Sequence, residues 1–274
     1  KRSGSSYPFD QLAGVGVAFK LLQAVSRSLG QEQGLEEMLD LVAIGTVADK
    51  VPLLEENRYL VHKGLEVLRR TRRAGLKALM ETAKLNPDYL DTEAISWTMA
   101  PRLNAPGRLD HAITSYRLVT ATAPDEALEL AQHLEEKNLQ RQKLTEEFLA
   151  KAKGELSTTG TVQPFLMVGG EEYPSGIAGL IAGRLAEEFY RPSIVYEVGE
   201  STASGSARRI PEFDVVGALS QCRDLLQRFG GHPGAAGFAC TRRPRPPHAA
   251  RRGMHRGTLR GAERSARTGQ GEPP

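Results

Sequence analysis

The 274-residue chain is poor in cysteine, tryptophan and long apolar runs, with two Cys, one Trp and only 6% aromatic residues. Two thiols, Cys222 and Cys240, build neither a disulfide framework nor a zinc site by themselves, and they fit a reducing cytoplasm in which they serve as small apolar residues. The longest apolar stretches, residues 12–19 and 41–48, fall far short of the roughly eighteen residues that span a bilayer, so no membrane association is expected. The opening Lys-Arg-Ser-Gly-Ser-Ser-Tyr-Pro has neither an initiator Met nor the apolar core of a signal peptide, and the chain is expected to begin mid-protein. No Asp-x-Asp and no His-rich segment occurs. A two-metal phosphodiesterase centre needs several Asp and His ligands around ions about 3.5 to 4 Å apart, so such a centre is not encoded whole.

Lysine is missing from residues 241–274, which carry nine Arg and two Glu, so the formal charge of +3 hides a basic tail of +7 on a body of −4. That tail has five Pro and five Gly and no Val, Ile, Phe, Tyr or Trp. It buries too little apolar surface to offset the entropy of ordering and is expected to be disordered. Two origins are open for it, a nucleic-acid arm or, the favoured one, out-of-frame translation of GC-rich sequence. With 40% hydrophobic and 25% charged residues the chain as a whole has a globular composition.

Apolar spacing of three and four predicts helices over residues 12–29, 35–44, 57–70 and 75–83, with Asn57 as a cap, and a further helix over 92–99. Residues 101–109, with two Pro and two Arg, read as a loop. From Pro124 to residue 156 there is no further Pro and one Gly, which predicts one long helix. Its polar middle, 135–145, suits a connector that touches neither flank closely. The pattern then changes to short runs at 165–168 and 194–198 around a helix at 176–189, a βαβ arrangement. An extended stretch at 203–208, a helix at 215–229, a Gly-Gly-His turn and a last strand at 237–240 follow.

Asp49 lies in a turn of small residues where an ion can approach, which suits a metal ligand, although taken alone it reads first as an ordinary turn or capping aspartate. Gly230, Gly231 and His232, with Gly234 and Gly237 nearby, form a segment where backbone comes close to something, either an anion or its own chain. Ser206 and Arg208, two apart on an extended segment, face one side and could clamp a phosphate. Arg102 and Arg108 are candidates for strand contact or for a solvated surface.

Taken together, these segments resemble the RecJ single-stranded-DNA exonucleases of the DHH phosphoesterase superfamily. The resemblance rests on Tyr-Pro-Phe at 7–9, Leu-Ala-Gly-Val-Gly-Val-Ala-Phe-Lys-Leu at 12–21, Leu-Asp-Leu-Val-Ala-Ile-Gly-Thr-Val-Ala-Asp at 39–49 and Arg-Leu-Asn-Ala-Pro-Gly-Arg-Leu at 102–109. It continues through the Gly-rich segment 176–185, Gly-Ser-Ala-Arg at 205–208 and Gly-Gly-His with Ala-Ala-Gly at 230–237. It implies an α/β fold: the helical remainder of a DHH phosphoesterase domain (1–122), a long connecting helix (123–157), a smaller α/β DHH-associated, substrate-binding domain (158–240) and the tail (241–274). It further implies a cytoplasmic, monomeric enzyme dependent on Mn2+ or Mg2+, degrading single-stranded DNA from the 5′ end in repair and recombination, and served by a helicase or a single-strand-binding protein.

By the same resemblance, Asp49 is the last carboxylate of the metal site and Ser206 and Arg208 hold the terminal phosphate. His232, the catalytic candidate, faces the scissile region, while Gly230, Gly231, Arg102 and Arg108 are substrate-binding candidates on their residue chemistry alone. The family's Asp-x-Asp and Asp-His-His segments would precede Lys1, so this piece alone is expected to be inactive. Gly183 and Arg209 stand where the family often has Ser. The alternatives are a superfamily phosphodiesterase for short oligonucleotides or cyclic dinucleotides, and a strand-binding or scaffold protein without catalysis.

Overall fold

A computed structural model describes residues 4, 6–158, 163–232 and 234–241. It divides into two units, Lys1–Gln140 and Arg141–Pro274. The expected disordered or out-of-frame tail lies, apart from Thr241, outside the described residues.

The first unit is helical. Helix α1 (Gly14–Ser28) leads through a 3₁₀ turn at Leu35–Met38 into α2 (Leu39–Ala48). Val42, Ala43, Ile44, Thr46 and Val47 are all buried, so α2 runs through the core rather than over it. Its one buried charge, Asp40, is fully engaged: it accepts from the Leu41 amide, from the Thr71 hydroxyl at 2.7 Å and from Arg73 Nε at 3.1 Å. Helix α3 (Glu55–Arg69) packs along α2, and α4 (Ala74–Thr82) follows. Asn57 does not cap α3. It is buried within the first turn, and its amide donates to the carbonyls of Gln11 and Pro52 at 2.8 and 2.9 Å, tying two loops to the helix.

The segment expected as a loop is helix. A π-helical turn, Ala94–Met99, runs directly into α5 (Ala100–Leu109), which contains both prolines. Pro101 lies where the π-helical turn passes into α5, so its missing N–H falls inside a continuous helical run. Pro106 likewise removes an interior hydrogen bond. Burial of Ala105 and Pro106 offsets it, and the Ser115 hydroxyl donates to the Leu103 carbonyl at 2.6 Å. Helix α6 (Ile113–Thr120) comes next, and Gly75 of α4 packs so closely on it that a methyl there would overlap the Leu118 carbonyl.

Helix α7 (Pro124–Thr158) extends from one unit into the other. Its polar middle is not free: Glu135 pairs with Arg102, Lys137 with Asp110, and Asn138 is buried. Within the second unit, Phe148 meets the ring of buried Tyr173 at 5.3 Å, and Lys151 pairs with Glu172 at 2.6 Å.

The second unit is a five-stranded sheet in the order β1-β2-β3-β5-β4. Strands β1 (Leu166–Gly170) and β2 (Ser193–Val198) are parallel and joined by α8 (Ser175–Phe189), the expected βαβ arrangement. Strands β3 (Thr202–Arg208), β4 (Arg228–His232) and β5 (Ala235–Thr241) add antiparallel pairs. The helix expected over 215–229 is only α9 (Val215–Ser220), capped by the Asp214 carboxylate on the amides of Val216 and Gly217. Phe229 belongs instead to β4, and packs with Phe238, Tyr196 and Met167 against a core of Phe165, Ile194 and Val215. Gly-Gly-His is accordingly strand, not turn.

Candidate functional site

In the first unit the candidates stand apart. Asp49 is exposed at the C-terminal end of α2, where the helix dipole adds negative potential to its carboxylate. It lines an open cleft of about 470 Å³ with Gly14, Val15, Gly45, Ala48 and Asn104. Asn104, from the middle of the Arg-Leu-Asn-Ala segment, escaped selection as a site residue because one amide among apolar neighbours carries no spacing signal. Among the described residues no three His, Cys, Asp or Glu gather where they could hold a metal ion. Asp49 and Asn104 by themselves do not amount to a hydrolytic metal site.

Arg102 does not face this cleft as an available cation. Its Nη1 donates to the Thr98 carbonyl at 2.9 Å, its Nη2 to Glu135 at 3.1 Å, and its Nε pairs with the same carboxylate. Arg108, near the end of α5, is half-buried, and that burial pushes the pKa of its guanidinium down.

The second unit brings its candidates together, and the strand register shows how. Residues directly opposite one another in a ladder point to the same face. Arg208 is opposite Ser193 on one side and Ala235 on the other, and Ala235 is opposite His232. Ser206 is opposite Val195 and Gly237, and Gly237 is opposite Gly230. Ser206, Arg208, Gly230 and His232 therefore share one face, while the Phe238 and Phe229 row lies on the other. Across two strand spacings His232 and Arg208 stand about 10 Å apart. The strip between them is floored by Ala235 and Gly237, side chains too small to fill it.

Helix α8 covers the β2 and β3 part of this face. Over Ser206 and Arg208 it presents Gly179: a Cβ there would come within 2.6 Å of Arg208 Nη2 and 3.4 Å of Ser206 Oγ. The absent side chain leaves room for hydroxyl and guanidinium to lie side by side, half-buried, beneath the first turns of a helix whose N-terminal end favours anions. Gly179 was read only as part of a Gly-rich helix; its function as a gap is invisible without the strand beneath it. Gly231 has φ +152°, and a Cβ there would strike the Ala235 carbonyl, so only glycine lets β4 and β5 close up beside His232. Its neighbour Gly230, on the site face, is exposed.

This arrangement has counterparts. Residues 161–247 match the DHHA1 domain family. The single-stranded-DNA-specific exonuclease RecJ of Bacillus subtilis (strain 168) is 42% identical over 240 residues, which is 87% of this chain and 30% of that protein. Its namesake in Escherichia coli (strain K12) is 35% identical over 255 residues, 85% of this chain and 44% of that one. The crystal structure of RecJ from Thermus thermophilus in complex with Mn2+ superimposes with a TM-score of 0.82 at 31% identity, covering 94% of this chain and 38% of that one. The same protein crystallised with Mg2+ gives 0.79. The chain thus spans less than half the length of these relatives. It is similar to the RecJ exonucleases over most of its own length and part of theirs, and its second unit contains the residues that match the DHHA1 domain family.

Proposed function

We propose that this chain is part of a RecJ-like exonuclease that hydrolyses single-stranded DNA from the 5′ end in DNA repair and recombination, and that its second unit holds the terminal phosphate of the strand. The observation that carries this reading is the Ser206 and Arg208 pair beneath Gly179, a donor set matched to a dianionic phosphate and placed on a strip wide enough for one sugar-phosphate backbone. His232 faces that strip from the opposite side, and Gly230 and Gly231 let the backbone approach. Asp49 is one carboxylate of a Mn2+ or Mg2+ site that other residues of the protein complete, so the 274-residue chain alone is inactive. Arg108 and Arg102 are the first unit's candidates for contacting the strand, Arg102 only by exchanging Glu135 for a phosphate. In this reading residues 1–122 are the C-terminal part of a DHH phosphoesterase domain, 123–157 the connector, 158–240 the substrate-binding domain and 241–274 a tail. The protein acts as a cytoplasmic monomer on strands supplied by a helicase or a single-strand-binding protein.

The test compares oligonucleotides bearing a 5′-phosphate or a 5′-hydroxyl at moderate salt. A charge-assisted contact is worth roughly 1.5 to 3 kcal/mol, so wild type should prefer the phosphate about ten- to a hundredfold and Arg208→Ala should lose that preference. Equal affinity for both ends in wild type, or a preference that survives Arg208→Ala, removes these residues from the site.

A further inference from the structure

The face that carries Ser206, Arg208 and His232 continues along β4 to a residue with no assigned role. Arg228 is opposite Ala239, and Ala239 is opposite Ser204, so Arg228 lies two positions beyond Gly230 on the same side of the sheet. The row it heads, Arg228, Ala239 and Ser204, has small side chains behind the guanidinium, as the His232 row has Ala235. Arg228 is exposed, and its guanidinium makes no hydrogen bond or ion pair among the described residues. Helix α8 packs on β2 and β3, and among the described residues Arg228, Gly230 and His232 of β4 stay exposed.

From these positions we infer that Arg228 contacts an internal phosphate of the strand whose end is held by Ser206 and Arg208. Four residue steps along β4 separate it from His232, about 13 Å of strand, so one phosphate cannot touch both. A strand lying along the strip from the Arg208 and His232 row toward the Arg228 row meets the end clamp first and this guanidinium further in. The ligand is the phosphodiester backbone of a single strand, and the contact reads no base. This inference rests on the proposed strand-end function of the same face and extends it to the strand's interior.

The difference between the two contacts is measurable. Each phosphate neutralised on a single strand contributes about 0.7 to the slope of log affinity against log salt. The 274-residue chain is titrated with a 5′-phosphorylated oligothymidylate of about twelve nucleotides, within the usual range of single-strand sites, and with its 5′-hydroxyl counterpart. Arg228→Ala should weaken binding of both by about two- to fivefold, as for an exposed contact, and lower the slope by about 0.7. The ratio between the two ends should stay at its wild-type value, and Arg228→Lys should restore the slope. The Arg-rich tail is common to all variants, so the difference between them isolates residue 228. Arg228→Gln, which keeps most of the apolar stem, repeats the measurement if the Ala variant melts early.

An unchanged slope in both the Ala and Gln variants overturns the inference. So does a loss of end preference equal to that of Arg208→Ala, which would place Arg228 in the end clamp. Should wild type show no end preference while Arg228→Ala still lowers the slope, the terminal-phosphate reading fails and the backbone contact stands.

Discussion

The two units assemble their polar residues by different physics. In the first, each candidate depends on its own helix: Asp49 ends α2, while Arg102 and Arg108 ride on α5, and nothing forces one to face another. In the second, residues far apart in sequence are brought into line by ladder pairing, so that Arg208 and His232, 24 positions apart by number, fall in one row. A helix orders neighbours three and four apart, whereas a sheet orders strangers. The second unit therefore gathers a hydroxyl, a guanidinium and an imidazole on one face of its sheet, whereas in the first unit Asp49 lines its cleft with no other carboxylate among the described residues.

The comparison breaks most visibly at Gly75. A methyl there overlaps the Leu118 carbonyl, and overpacking against backbone should destabilise the first unit by about 3 kcal/mol or more. Thermal unfolding of Gly75→Ala should show an early transition, while the preference for a 5′-phosphate survives at temperatures below it. Loss of both together would mean that the second unit's site depends on the first. Next in size is Arg102→Ala, which strands the half-buried Glu135 carboxylate and should cost about 2 kcal/mol of stability, with strand affinity falling as well where Arg102 exchanges Glu135 for a phosphate. An unchanged melt with weaker strand binding would instead assign Arg102 to the DNA alone. The smallest effect belongs to Gly179→Ala. Its methyl meets the far end of the Arg208 side chain, which can move, so melting should hardly change while end preference drops about tenfold by direct binding measurement. Undiminished preference would show that the gap over Arg208 is not used.

The sequence announced α1 to α4, α7, α8 and the strands β1, β2 and β3, although Leu22, Val25 and Leu29, on the apolar spacing that predicts α1, stay exposed. It misled where tertiary contacts overrule local chemistry. Two prolines argued against α5, yet burial of Ala105 and Pro106 holds the helix. Leu219, Cys222, Leu226 and Phe229 keep helical spacing beyond the end of α9, but Phe229 reaches the same core from a strand, because β5 offers it a ladder. Ser206 with Arg208 was legible as a pair because alternation in a strand is local information. Gly179 and Arg228 were not, since their meaning comes entirely from what lies across the sheet.

The rim position of β4 has a consequence for motion. Among the described residues it is hydrogen-bonded on one side only, through β5. Elements tied on one side open at less free energy than the core, so the amides of this hairpin should lose protection against solvent exchange before those of β2 and β3. His232 and Arg228 thus ride on an edge of the sheet that is tied on one side. A strand bridging β3 and β4 would fasten that edge, and part of its binding free energy would go into quieting the hairpin rather than into affinity.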